Sequence, residues 1–445
     1  MNAREPELEV VEPLSVSDLE EAWALLDPDD RIQSFRALER TEAEDFFLSL
    51  SARDQSDLLL ALPAAERRSW IRLLAPDDAA DLLQEVSADV REELLQLLDE
   101  PTRHEVSGLL AYAEDDAGGL MNPRYARLRP DMTVDEAITY LRRQAAERAE
   151  TLTYAYVLAA DQKLLGVVSY RELITAKTDQ KIEDIMRTDL VTVPEALDQE
   201  ELGRLFSIHR FMAFPVVDSN GIMKGVVTLD DIVDVVREEA TEDIQKIGGT
   251  AVLDAPYLRV SVLEMIQKRI GWLAVLFLGE TLTASAMGYF EDEIARAVVL
   301  TLFIPLVISS GGNSGSQATT LVIRAMALGE VRLRDWWRVM QREILSGLGL
   351  GAALAAIGIL RVVLWEAAFH TYGPHHLLIG LTLATSLVGV VLWGTLVGSM
   401  LPFLLKRAGL DPAVASAPFV ATLVDVTGLV IYFTAAQMLL RGTLL

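Results

Sequence analysis

ISSGGNSGSQATTL, residues 308–321, sets glycine, serine, threonine, asparagine and glutamine inside text that is otherwise apolar enough for a lipid bilayer. Polar side chains at membrane depth persist only where they face protein or water, because lipid offers them no hydrogen-bond partner. Gly311, Gly312 and Gly315 would let a helix break there or pack closely against a neighbour. Asn313, Ser316 and Gln317 are better suited to shaping a pore, or touching an ion's water shell, than to binding bare metal.

Outward from this stretch, five long apolar runs cover roughly 270–290, 297–328, 344–369, 377–405 and 412–440. Each exceeds the ~20 residues needed to cross a ~30 Å hydrocarbon core. Lys268, Arg269, Arg324, Arg332, Arg334, Arg338, Arg342, Lys406 and Arg407 fall on one side, whereas Glu291, Asp292, Glu293 and the loop from His370 to His376 fall on the other. The positive-inside rule makes the basic side cytoplasmic, so the expected location is the cell (inner) membrane, N-terminus in and C-terminus out. The start, MNAREPELEV, lacks the basic and apolar regions of a signal peptide, which agrees with a cytoplasmic N-terminus.

Charge follows the same division. The formal net charge is −26, yet from Ile266 onward there are 12 basic and 10 acidic residues, so the acidity belongs to the first part of the chain. That balance argues against a nucleic-acid partner and suits plain solubility or a cation-rich setting. There is no cysteine to supply a disulfide or a soft-metal thiolate. His370, His375 and His376 could catch a transition metal, and an ordinary surface loop explains them as well.

Residues from about 16 to 115 repeat Leu, Ala, Asp and Glu at helical spacing, with Pro and Asp at helix starts, as in DLLLALPAAERRSWIRLLAPDDAADLLQEV. The pattern predicts short successive helices in a superhelical, all-α N domain. A second pattern then occurs twice. MNPRYARLRPDMTVDEAITYLRR with TYAYVLAADQKLLGVVSYREL is followed by MRTDLVTVPEALDQEELGRLFS with AFPVVDSNGIMKGVVTLDDIV. Each copy reads as strand, helix, two strands around a turn, and a closing helix opened by Ser169 or Thr228. This resembles a tandem pair of CBS domains, an α/β module. Such pairs often bind adenosine nucleotides, which makes Thr228 and Asp231 candidate contacts for ATP; a structural role explains them equally.

Within the spans, a charge at mid-depth costs about 2.5–3.5 kcal/mol on insertion scales, so each needs a reason. Glu280 lies near the middle of the first run and Asp425 near the middle of the fifth. For Glu280, an interhelical hydrogen bond and a functional role weigh equally. Asp425 stands on a narrow face with Ala417, Ala421, Thr422 and Gly428, where helices would approach a shared pathway. Arg361 and Glu366, near the outer end of the third run, are explained by snorkelling or by pairing with each other. A carboxylate in such a place suits a hard cation such as Mg2+, and in a two-fold dimer two copies of Asp425 would face one axis.

PLVISSGGNSGSQATTLVIRAMALGE at 305–330 and DPAVASAPFVATLVDVTGLVIYF at 411–433 resemble the two signature segments of MgtE magnesium channels, and the domain order is similar over almost the whole chain. The resemblance implies a homodimeric, Mg2+-selective channel lined by the second and fifth spans, with membrane lipid around it. Its domains would be 1–120, the helical N domain; 121–236, the CBS pair, about 121–185 and 186–236; 237–269, a connecting plug helix; and 270–445, the five-helix channel. The pore acid falls on Asp425, with Ala421, Ala417 and Asn313 beside it. Regulatory Mg2+ would be bound by Asp230, Asp231, Asp234, Glu239, Glu242, Asp243 and Asp411, with Asp77 and Asp81 as N-domain partners, closing the channel when cytosolic Mg2+ is high. Ala417 stands where many relatives have Asn or Gly, and Arg210 where relatives have an acid.

No Gly-Lys-Ser or Gly-Lys-Thr phosphate loop is present, so the commonest ATPase reading falls away and an enzyme is not expected. A proton- or sodium-coupled divalent cation transporter and a membrane-anchored Mg2+ or nucleotide sensor remain as alternatives.

Overall fold

The computed structural model describes residues 15–23, 25–147, 151–253, 255 and 257–444. The first fourteen residues of the expected N domain lie outside them. The chain divides into two compact units, 1–238 and 239–445.

Among the described residues the first unit begins with eight short helices: α1 Val16–Ala22, α2 Pro28–Ala37, α3 Arg40–Ser49, α4 Ala52–Ala61, α5 Ala64–Ile71, α6 Pro76–Gln84, α7 Ala88–Leu95 and α8 Glu100–Leu109. Their starts are written locally: the side chains of Ser15, Asp27 and Ser51 accept a hydrogen bond from a first-turn N–H, and Pro28 and Pro76 open their helices. Leu19, Phe35, Phe46, Phe47, Leu59, Ile71 and Leu82 form the core. Arg67, Arg91 and Arg103 each donate to the carbonyls that end the preceding helix, at 2.6–3.4 Å. Successive helices are thereby tied through orphan carbonyls.

Two similar modules follow. β1 Tyr125–Leu128, α9 Val134–Glu147, β2 Thr151–Leu158, β3 Leu164–Ser169 and α10 Tyr170–Thr175 make the first, closed by α11 Ile182–Ile185. β4 Val193–Pro194, α12 Gln199–His209, β5 Ala213–Val217, β6 Met223–Thr228 and α13 Leu229–Ile247 make the second. In each sheet the first strand pairs parallel with the second, and the second pairs antiparallel with the third. The predicted helix starts are present. Ser169 and Glu172 form a reciprocal capping box, and Thr228 donates to Asp231 Oδ2 from its N–H at 3.1 Å and its hydroxyl at 2.6 Å.

The connecting segment differs from expectation. The plug helix expected over 237–269 is not one helix: α13 runs on without a break to Ile247, and Gly248-Gly249, with Gly249 at φ +72°, ends it. The residues assigned to a plug helix up to 269 are partly non-helical. From Val262 they belong to α14 Val262–Tyr289, capped by Ser261, so the first membrane helix starts eight residues before Ile270.

Beyond α14 come α15 Glu291–Arg296, α16 Ile304–Ala327, α17 Trp336–Phe369, α18 His376–Arg407 and α19 Ala417–Leu440. With short 3-10 turns added, five stretches among the described residues are long and apolar enough to span a bilayer. α16 does not break at its glycines. They serve close packing instead: a Cβ on Gly394 would collide with the Gly311 carbonyl, and one on Gly398 with that of Gly315. Thr319 seals the same contact by donating to the Gly398 carbonyl at 2.8 Å.

Candidate pore and cation-sensing sites

α16 and α19 pack so that Gly312 lies against Ala421 and Asp425. A Cβ added at Gly312 would stand 3.4 Å from the Ala421 Cβ and 3.7 Å from Asp425 Oδ1. One turn nearer the cytoplasmic end assigned from the sequence, Ser316 donates to the Ala417 carbonyl at 3.1 Å. That carbonyl of Ala417 is therefore already engaged, while the Asp425 carboxylate is half-buried beside glycine. Asn313 is exposed in the single chain and reaches Ser309 at 3.3 Å. Ser309, Asn313, Gln317 and Thr320 follow helical spacing, and all four are exposed, which gives α16 an uncovered polar stripe at membrane depth.

Glu280, on α14, is exposed beside Asp425 and acts on it electrostatically. It ends a groove of about 660 Å³ lined by Leu273, Phe277 and Thr422. α14 is packed chiefly on α19, and most of its surface is uncovered. Of the two explanations offered for Arg361 and Glu366, snorkelling or pairing with each other, the pairing is not formed. Arg361 donates to the Tyr372 hydroxyl at 3.3 Å, and Glu366 Oε2 accepts the N–H groups of Tyr372 and Gly373 at 2.6 and 3.1 Å, because the following loop leaves those donors without a helical acceptor.

In the first unit, acids from three segments converge. Burial, followed by the charges of Asp78, Asp231, Glu114 and Glu238, pushes Asp81 up to about 8. Burial also pushes Asp231 up to about 6, opposed by its hydrogen bonds from Thr228 and reinforced by Asp230 and Asp78. Glu238 is raised by burial and by Asp234, Glu114 and Glu85. Asp77 lies one turn before Asp81 on α6. It is buried and accepts from Asn122 Nδ2 at 3.2 Å, which ties α6 to the start of the first sheet module.

Sequence reading missed Asp78, Glu114 and Glu238. A signal was available: Asp231, Asp234, Glu238 and Glu242 recur three or four residues apart along α13 and so share one helix face. Among the described residues, no group of three or more acids or histidines is already arranged as a metal cage. The donor set is nonetheless all oxygen and strongly self-repelling, which fits a hard, partly hydrated cation.

In the second unit, Glu242 and Asp411 are brought together through a lysine. Lys246 contacts Glu242 one turn back on α13 and donates to Asp411 Oδ2 at 2.7 Å. Burial would lower this ammonium's pKa, but the hydrogen bonds to Asp411 and Glu242 hold it above the usual lysine range. Gly249 backs onto Ser416 and Pro418, the cap and first turn of α19. The end of α13 is therefore fastened to the helix that carries Asp425, two turns before that residue. Glu239 and Asp243 lie on the same stretch of α13, half-buried. Arg210 is the left-handed C-cap of α12, at φ +54°, with its N–H on the Phe206 carbonyl.

The divalent cation transporter family MgtE matches residues 304–435, the MgtE intracellular N domain matches 14–115, and CBS domains match 117–179 and 182–238. The magnesium transporter MgtE of Thermus thermophilus is 43% identical over 344 residues, 77% of this chain and 74% of that one. The chain belongs to the MgtE family. The magnesium transporter MgtE of Bacillus subtilis is 33% identical over 337 residues, covering 76% of this chain and 72% of that one. A crystal structure of the cytosolic domain of the Mg2+ channel MgtE in complex with ATP is 39% identical, covering 51% of this chain and 92% of that one at a TM-score of 0.47. The chain is thus an MgtE-family multi-pass membrane protein with an N domain, a CBS pair and five apolar helices.

Proposed function

We propose that the chain is a Mg2+ channel that admits Mg2+ to the cytoplasm and is closed by cytosolic Mg2+. The observation that carries the pore assignment is the half-buried Asp425 facing Gly312, next to an uncovered stripe of hydroxyl and amide groups on α16. Such a stripe at membrane depth needs water or protein against it. A two-fold homodimer supplies both: two stripes enclose a wet path, two copies of Asp425 set −2 against a divalent ion, and the uncovered surface of α14 gains a partner. Asp425 acts as a charge that holds hydrated Mg2+, while Asn313, Ala421 and Ala417 set the width and the shape of the path. The basic connecting segments support a cytoplasmic N-terminus and an external C-terminus.

An inside-negative membrane drives the uptake. A charge crossing 100 mV is worth about 2.3 kcal/mol, so a divalent cation gains about 4.6 kcal/mol with no coupled ion or nucleotide hydrolysis. Closure would use the acids of α6 and α13. Mg2+ held by Asp81 and Asp231, with Asp78, Asp230, Asp234 and Glu238, offsets their repulsion and joins the N domain to the CBS pair. α13 then carries the change to α19 through Lys246, Asp411 and Gly249. Glu239, Glu242 and Asp243 extend the acidic face towards that end, with Lys246 as the resident cation that Mg2+ would have to displace.

An adenosine nucleotide at Thr228 and Asp231 would have to accommodate the helix cap that these residues form, which favours their structural role. The proximity of Glu280 to Asp425 favours, as a second reading, a transporter in which the acid pair exchanges Mg2+ for protons. Mg2+-dependent growth of a transport-deficient strain tests the pore assignment: Asp425→Asn should fail to restore it at normal membrane expression, and full restoration would refute the assignment.

A further inference from the structure

Arg334, in the 3-10 turn Leu333–Asp335 that precedes α17, and Arg338 and Arg342, on α17 itself, stand four residues apart in a basic stripe. With Arg332 they line a groove of about 480 Å³, which also includes Gly329 and Val339. All four arginines are exposed. The two acids of the groove, Glu330 and Asp335, leave it with a net positive charge. Asp335 is already engaged, accepting the Arg332 N–H at 3.1 Å and lying 3.5 Å from the Arg338 guanidinium. Trp336 and Trp337 flank the groove edge to face at 5.5 Å and are about half exposed, at 48% and 49%. The uninterrupted apolar run of α17 begins only at Ile344, so arginines and tryptophans occupy the polar end of a membrane helix.

We propose that this groove binds the headgroup phosphate of an anionic phospholipid. Guanidinium forks match phosphate oxygens in pairs, and several converging forks discriminate against a headgroup with its own cation. Exposed tryptophans settle at the headgroup layer, which sets the stripe at the depth of lipid phosphates, and basic pockets beside membrane helices recognise such headgroups. The proposal depends on the chain spanning a membrane, not on which ion it carries.

The test is native mass spectrometry of the full-length protein in mixed micelles of phosphatidylglycerol and phosphatidylcholine, with inorganic phosphate as a soluble competitor. We expect at least about fivefold preferential retention of phosphatidylglycerol. Arg334→Gln/Arg338→Gln/Arg342→Gln should lose that preference while keeping the wild-type melting temperature, and the corresponding lysine variant should keep part of it. Lys406→Gln/Arg407→Gln, which removes charge elsewhere on the basic side, should keep it all. Equal retention of the two lipids by the wild type, an unchanged preference in the glutamine variant, or the same loss in the Lys406 and Arg407 variant would each overturn the proposal. Displacement of the lipid by millimolar inorganic phosphate would overturn it in favour of a soluble phosphate site.

Discussion

Asp81 and Asp425 are both acids in poorly solvated places, but they keep different company. Asp81 lies among Asp78, Glu114, Asp231 and Glu238, and burial, reinforced by their repulsion, pushes it up to about 8. Asp425 has Glu280 as a charged neighbour and lies against Gly312. In a domain bathed by water, crowded carboxylates can take up protons or cations, so the cluster responds to its surroundings. At membrane depth each further charge costs several kcal/mol. There the work passes to glycines that bring helices together and to neutral groups that keep water in place. The first arrangement suits a sensor and the second a filter.

The comparison breaks first at the filter. Asp425→Asn keeps the shape and removes the charge, and Mg2+ flux in proteoliposomes should fall by well over tenfold, more than about 1.4 kcal/mol of transition free energy. A smaller loss would mean that Asp425 is only a packing residue. Next is the support beneath it: Gly398→Val forces a side chain onto the Gly315 carbonyl, and overpacking costs about 1–3 kcal/mol or more. A clear drop in the melting temperature of the purified protein should follow. Gly349→Val, at a position with nothing close to a Cβ, should leave it unchanged.

The sensor should fail more gently. Asp81→Asn with Asp231→Asn relieves the repulsion, so the Mg2+-free protein gains stability while the Mg2+ needed for half-closure rises by about tenfold, as for the loss of one or two close charge contacts. Unchanged inhibition would place the sensor elsewhere. The pH dependence has a definite sign. Asp81 and Asp231 have folded-state pKa values of about 8 and about 6, above the ordinary carboxylate value near 4. The folded state therefore holds more protons than the unfolded state, and without Mg2+ the melting temperature should fall as pH rises from about 4 to about 8. Mg2+ competes with those protons, so Mg2+ should stabilise the protein more at pH 8 than at pH 6; the reverse order would contradict the cluster. The smallest effect is expected from Lys246→Gln, which removes the link between Glu242 and Asp411 at a partly exposed site. A change of about 1 kcal/mol or less in the closing equilibrium, a few-fold in inhibitory Mg2+, is the scale of such a pair.

Much of this was legible in the sequence because it rests on local rules. Five apolar runs, two copies of a strand-turn-strand pattern ending in Gly-Val-Val-Ser and Gly-Val-Val-Thr, and proline- or aspartate-headed short helices correspond to elements of the structure. Asp425 stands out in the sequence as a charge in an apolar run, where each charge is costly; its role in the pore is the proposal made above. Other features depend on which surfaces meet. Asp77 and Asp81 look equivalent one turn apart, but the packing of α6 turns Asp77 towards Asn122 and leaves Asp81 with the acids of α13. The glycines of 308–321 allowed either a break or a close approach, and only the apposed glycines of α18 decide for approach. A single connecting helix over 237–269 is not formed because Gly248-Gly249, with Gly249 at φ +72°, stops α13 after Ile247. Lys246 drew no attention because a single lysine in an acidic helix looks like ordinary solubility.

The central claim is a conductive path for Mg2+ that passes Asp425 and needs no partner ion. The most direct test is Mg2+ entry into liposomes containing the purified protein, with equal pH and equal Na+ on both sides and an imposed inside-negative potential. The channel account predicts that entry scales with the potential, stops when Mg2+ is raised on the cytoplasmic side, and vanishes in Asp425→Asn. Entry that ignores the potential and appears only with a proton or sodium gradient would contradict it and make the Glu280–Asp425 pair the centre of an exchanger.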